Sequence, residues 1–108
     1  MEPISLQKLK QLLKEQYSSI FIIDVRSPEE FFDKRLKNTT NIPLETLPIK
    51  LKKIPADKQV IIHCAHGFRA KRAAQFLEEE GYHPVYYVKG DIELWEDAGL
   101  DVLFENDQ

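Results

Sequence analysis

The only cysteine of this chain, Cys64, sits in the run Cys64-Ala65-His66-Gly67-Phe68-Arg69. The residues before it, Val60-Ile61-Ile62-His63, are mostly apolar and β-branched, and those from Ala70 onward are Ala-rich with helical spacing. A strand, a short loop and a helix are therefore predicted, with the thiol at the strand's exit. A loop that enters a helix turns several backbone N–H groups inward, and the helix dipole adds partial positive charge. Gly67 permits a backbone angle that other residues resist. Arg69 supplies a permanent cation with a planar fork of donors. A thiol held there is expected to have a lowered pKa, because only its thiolate is stabilised. The same pocket receives an anion beside the sulfur, so a nucleophile and an anionic substrate meet.

The charge pattern points the same way. No acidic residue falls between Asp57 and Glu78, whereas Lys58, Arg69, Lys71 and Arg72 all do, in a chain of net charge −3. Arg69, Lys71 and Arg72 crowd the start of the predicted helix, and Glu78, Glu79 and Glu80 crowd its end. Both ends oppose the macrodipole, at ~0.3–1 kcal/mol for each misplaced charge. The bland alternative is that these long side chains fan into water and screening removes the cost. For Cys64 the bland alternative is a small buried hydrophobe. The closely spaced Gly67 and Arg69 weigh against it.

A single domain accounts for 108 residues, and one cysteine leaves packing alone to hold it. A lone cysteine fits a reducing compartment. Met1 to Lys10 has no apolar core of signal-peptide length, and no apolar run approaches a membrane span, so the cytoplasm is expected and a membrane is not. The acidic balance argues against nucleic acid as a partner.

Several elements must position the cysteine loop. Ser5 caps a predicted helix reaching about Tyr17, with Leu6, Leu9, Leu12 and Leu13 on one face. Ile20 to Ile23 reads as a buried strand ending at Asp24. Ser27-Pro28-Glu29-Glu30 is a helix start with cap, first-turn proline and acids. Leu44 to Ile54 is a weak helix broken at Pro48, and Pro55 to Lys58 a turn. Gln59 to His63 is the second strand, and Ala70 to Glu80 the best helix, stopped by Gly81. Val85 to Val88 is the third strand. Asp91 caps a short helix, Ile92 to Ala98, which ends at Gly99, and Leu100 to Phe104 is an edge strand. Alternating strands and helices imply an α/β fold around a mainly parallel sheet, with sites at strand carboxyl ends. Asp24 and Cys64 both stand at such ends.

With these positions in hand, the chain resembles the single-domain rhodanese-like sulfurtransferases. The residues that carry the resemblance are Cys64-x-x-Gly67-x-Arg69, Asp24-Val25-Arg26 with Glu30-Phe31, Asn41-Ile42-Pro43, Gly81-Tyr82 with Val85-Tyr86, then Gly90 and Trp95. Their joint order covers about Ser5 to Val102. The resemblance implies a single rhodanese-like domain over 1–108, with its core at about 5–103 and a mainly parallel central sheet flanked by helices. It implies transfer of sulfane sulfur: Cys64 takes the outer sulfur of a donor such as thiosulfate, sulfite leaves, and a thiol or cyanide acceptor removes the sulfur from the Cys64 persulfide. Backbone N–H groups of Ala65, His66, Gly67, Phe68 and Arg69 would cradle the persulfide, with Arg69 orienting the loop or an anionic donor. A protein acceptor is also compatible. No metal or organic cofactor is implied. Dual-specificity phosphatases of a related fold carry a loop one residue longer, so a phosphate substrate fits poorly. Asn38-Thr39 and Gly90-Asp91 depart from the family's usual Gly-Ala and Gly-Gly; Asn tolerates the left-handed turn that the first pair requires.

Other clusters have plainer readings. His63 and Cys64 are neighbours on a strand and point to opposite faces, so they do not converge on a metal. His66 either tunes the sulfur or faces solvent. Phe68 is expected to narrow the pocket, which would favour an uncharged or protein-borne donor. Asp24 either helps to position the loop or caps the turn before Ser27, and Arg26 is expected to pair with Glu29 or Glu30. Trp95 and the phenylalanines are expected in the core, and one of Tyr86 and Tyr87 faces inward. No apolar stripe stands out, which favours a monomer. Against the enzyme stands a second reading, a non-catalytic or regulatory module of the same fold that carries sulfur or binds a partner.

Overall fold

The computed structural model describes residues 1–89 and 92–105. Its centre is a five-stranded sheet in the order β1-β6-β5-β2-β4, from β1 (Glu2–Ile4), β2 (Ile20–Asp24), β4 (Thr40–Asn41), β5 (Gln59–His63) and β6 (Val85–Val88). Every pairing in it is parallel. The alternation along the strands divides the core in two. Ile23, Val60, Ile62 and Cys64 face α3 (Phe68–Glu79) through Ala70, Ala73, Ala74 and Leu77. Ile20, Ile22 and Ile61 face α1 (Leu6–Glu15) through Leu6, Leu9 and Leu12, with Trp95 and Leu100 completing that layer. Alanines on α3 let the helix lie close to the sheet, so its first turn comes down on the end of β5.

The caps follow the sequence. Ser5 Oγ accepts from Lys8 N at 3.0 Å. Ser27 and Glu30 form a complete capping box at the start of α2 (Pro28–Asp33). Gly81, at φ +94°, closes α3: its N–H bonds Glu78 O, and Tyr82 N–H reaches back to Leu77 O. Asn38 takes the left-handed conformation expected of it, at φ +67°.

Five expectations need correction. The weak helix over 44–54 is two separate 3-10 turns, Leu44–Thr46 and Leu51–Lys53, because Pro48 supplies no N–H to join them. The last strand, β7 (Val102–Phe104), is not an edge of the main sheet. It pairs antiparallel with β3 (Lys34–Leu36) in a small second sheet. Both β3 and β1 escaped the sequence reading, since three residues are too few to show a period. The phenylalanines are not all core, because Phe32, Phe68 and Phe104 are exposed. Tyr86 and Tyr87 are both half-buried, one in each core layer. The segment 92–98 opens as a 3-10 turn, Ile92–Leu94, and the Asp91 cap expected before it lies outside the described residues.

Candidate active site

The chain leaves β2 toward β4 on one side and leaves β5 toward β6 on the other. The carboxyl ends of β2 and β5 therefore flank the switch point of the sheet, where a crevice opens in such folds. Asp24 and His63 face one another in register there, one residue before the thiol.

Cys64 Sγ is held by the backbone that follows it. It accepts hydrogen bonds from Gly67 N at 3.0 Å and Ala70 N at 3.3 Å. Gly67 is the N-cap of α3 at φ +97°, and with no side chain it caps nothing itself. The cysteine sulfur thus takes the place of a capping oxygen at the third helical N–H. The loop's other edge is latched by Ile92 N–H donating to Ala65 O at 3.1 Å. Cys64 is 2% exposed.

The flanking side chains divide. Ala65 is buried, Gly67 half-buried, and His66 exposed. Phe68 is 82% exposed, so it does not narrow the pocket as expected: the first helical residue points away from the sheet. Arg69 does not stand free beside the sulfur. Its Nη1 and Nη2 donate to Glu30 Oε1 at 2.7 Å and Oε2 at 3.0 Å, a bidentate pair joining α3 to α2. The hydrogen bond from Arg69 holds the Glu30 carboxyl down at about 2, against a smaller opposing effect of burial, and the same bond raises Arg69.

Asp24 and Arg26, expected as supporting residues, are both buried and are turned onto each other. Asp24 Oδ1 accepts from Arg26 N at 2.9 Å, and Arg26 Nη2 donates to Asp24 Oδ2 at 2.7 Å. The partner expected for Arg26, Glu29 or Glu30, is thus replaced: two residues along an extended chain reach more easily than the next helix. Asn41 Nδ2 donates to both Asp24 O and Arg26 O at 3.0 Å, stapling the end of β2. Among the described residues neither Asp24 nor Arg26 bonds Cys64. His63 points away from the thiol, as strand alternation requires. It meets Trp95 edge-on at 5.1 Å, with neither ring nitrogen bonded. Burial is the main cause that pushes its pKa down to about 4, and nearby Arg26 adds to this while Asp24 opposes it. The 3.8 Å approach of Asp24 to a neutral imidazole is therefore no ion pair.

Two participants were missed. Ala70 supplies the second donor to sulfur, and it was findable as the third residue after a glycine N-cap. Glu30 binds Arg69 across 39 positions, and nothing local in sequence marks it, since its cap role already accounts for it. No group of three or more metal-ligating side chains gathers among the described residues, and no helix there is long and apolar enough to cross a membrane.

Residues 5–98 match the rhodanese-like domain family. The chain belongs to this family. A protein of Allochromatium vinosum named "Sulfurtransferase" is 29% identical over 100 residues, covering 93% of this chain and 92% of its own. The Vibrio cholerae "Thiosulfate sulfurtransferase GlpE" is 29% identical over 92 residues, covering 85% and 86%. The crystal structure of a rhodanese-related protein from Thermoplasma volcanium superposes with a TM-score of 0.83 at 31% identity, over 95% of this chain and 98% of that one. These relatives agree with the reading of a central, mainly parallel sheet and with a sulfurtransferase family.

Proposed function

We propose that the protein is a rhodanese-type sulfurtransferase that carries sulfane sulfur on Cys64. The observation that supports this most is the sulfur itself, cradled by two backbone N–H groups at a helix start. In the first half-reaction the Cys64 thiolate attacks the outer sulfur of thiosulfate or of a persulfide donor. A new S–S bond forms at Sγ, and the bond to the donor's inner sulfur breaks. With thiosulfate, sulfite leaves with the electron pair. In the second, cyanide or a thiolate takes the terminal sulfur, and the pair returns to Cys64. The loop N–H groups of Ala65 to Arg69 receive the negative charge of the persulfide, Ala70 adds another donor, and the Glu30–Arg69 pair fixes the loop. Asp24 and Arg26 act one step away, by holding the neighbouring strand end.

Burial favours sulfur over bulkier chemistry. A sulfane sulfur is a single terminal atom, and a thiol this enclosed is open to little else. The domain works without a cofactor, in the cytoplasm, as a monomer. The experiment is stoichiometric: with thiosulfate and no acceptor, one equivalent of sulfite is released per protein and then release stops. Adding cyanide restarts it, with thiocyanate formed in step. Release without loading, or no loading with thiosulfate, polysulfide or glutathione persulfide, would turn the reading to a non-catalytic module.

A further inference from the structure

We propose that the face of α3 beside the cysteine loop is a docking surface for an acidic, apolar-anchored segment of a sulfur-bearing partner protein. This rests on the sulfurtransferase reading and adds to it the class of donor or acceptor.

The surface is apolar where a lone domain would not be. Phe68 is 82% exposed and Ile49 85%, although each would gain ~1.5–3 kcal/mol on burial. Each stands close in sequence to residues of one groove. Leu44, Leu47, Pro48, Arg72 and Phe76, with Glu45, line an open groove of about 450 Å³. Phe68, Arg72 and Phe76 recur every four residues and so share one face of α3. Phe68 lies one turn, ~5.4 Å, nearer the loop than Arg72. Ile49 follows Pro48 in sequence. The groove thus lies against the face of α3 whose first residue, Phe68, follows Gly67.

Charge identifies the occupant. Arg72 lines the groove, Lys71 adjoins it on α3, and Lys50, Lys52 and Lys53 follow Ile49. None of the five forms an ion pair among the described residues. Arg69 is engaged by Glu30 and is not part of this set. One acid, Glu45, lines the groove. In a chain of net charge −3, one cation that lines the groove and four that adjoin its residues in sequence stand against one lining acid. The cations at the start of α3, which oppose the dipole, are accounted for by a partner that they attract. A partner cysteine delivered there exchanges sulfur directly. Its thiolate attacks the terminal sulfur of the Cys64 persulfide, the Sγ–S bond breaks, and the electron pair returns to Cys64; the reverse step loads Cys64.

The test uses the full chain and two synthetic cysteine peptides with the same leucine and phenylalanine anchors, one flanked by Asp and Glu, the other by Lys. Cys64 is loaded with polysulfide, and transfer to each peptide is followed by mass in a single turnover, with cyanide alongside. The acidic peptide is expected to discharge Cys64 ~10-fold or more faster at low salt, with the gap closing at high salt. Lys71→Glu with Arg72→Glu should reverse the preference. Ile49→Ala should slow the acidic peptide alone and leave cyanide discharge unchanged. Equal rates for the two peptides, or no effect of charge reversal while cyanide still works, would overturn the docking surface and leave the sulfurtransferase reading intact. Should Cys64 never load, that reading fails first; anisotropy of a labelled serine analogue of the acidic peptide on Cys64→Ser then decides the surface by itself, binding supporting it and no binding overturning it. Sedimentation showing a dimer that Ile49→Glu disperses would give the groove to a second copy, also overturning the proposal.

Discussion

At the exit of β2, Asp24 and Arg26 turn inward onto each other, and Asn41 closes over their backbone. At the exit of β5, paired directly beside it, the chain turns so that two N–H groups point at one sulfur. Both exits place polar groups at the edge of the sheet. The first satisfies them internally with side chains, so it is rigid and inert. The second satisfies its sulfur with backbone alone. Fixing one strand end gives the other a wall against which to hold its loop.

Breaking the inert exit should have the largest effect on stability. Arg26→Ala leaves the Asp24 carboxylate buried without its partner, and a loss of ~3–5 kcal/mol is expected by denaturant unfolding. Asp24→Ala should cost about as much. If both were tolerated within ~1 kcal/mol, the β2 exit would not be the anchor described.

His63 sharpens the comparison through pH. Its folded pKa of about 4 lies below its ordinary value of 6.5. Above 6.5 neither state is protonated and His63 adds no pH dependence. Below 6.5 the unfolded chain takes up a proton that the buried ring refuses, so stability should fall as pH drops from 6.5 toward 4 and level off beneath. The whole effect is at most ~3 kcal/mol. His63→Phe keeps a ring against Trp95 and leaves no unbonded nitrogen at this position, and it should flatten this slope. An unchanged slope would show that another group carries it.

At the β5 exit the expected changes are smaller in stability and larger in rate. An added Cβ at Gly67 would meet only Val88 O, at 3.8 Å, so Gly67→Ala tests backbone conformation and not space. Forcing alanine to φ +97° should cost ~1–2 kcal/mol and slow sulfur loading by moving the Gly67 and Ala70 donors. Smallest is the Glu30–Arg69 pair, each side chain 38% exposed and screened accordingly. Its contribution, under ~1 kcal/mol, is present above pH 4.5 and is lost as pH falls toward 2. Glu30→Gln retains the capping arm and should lose only this part, which separates the pair's role from the cap's.

The legible parts of the fold were those with strong local signals. Ser27-Pro28-Glu29-Glu30 announced its helix, β5 was bounded correctly from Gln59 to His63, and the joint order of the rhodanese landmarks gave the family. The strand alternation that separates His63 from Cys64 was readable too. What escaped was decided by distant residues. Arg26 took Asp24 and left Glu30 to Arg69, a choice that depends on how α2 and α3 pack. Strands β1 and β3 exist only because β6 and β7 accept them. Phe68 looks like a core residue by type, and only its place at the outward start of α3 exposes it.

Whether Cys64 carries sulfur is decided by an intact mass after brief incubation with thiosulfate, then with polysulfide. A gain of one sulfur atom is expected with either donor, removed by cyanide and absent from Cys64→Ser. A native protein that gains nothing from both donors, or a Cys64→Ser variant that gains as much, would contradict it.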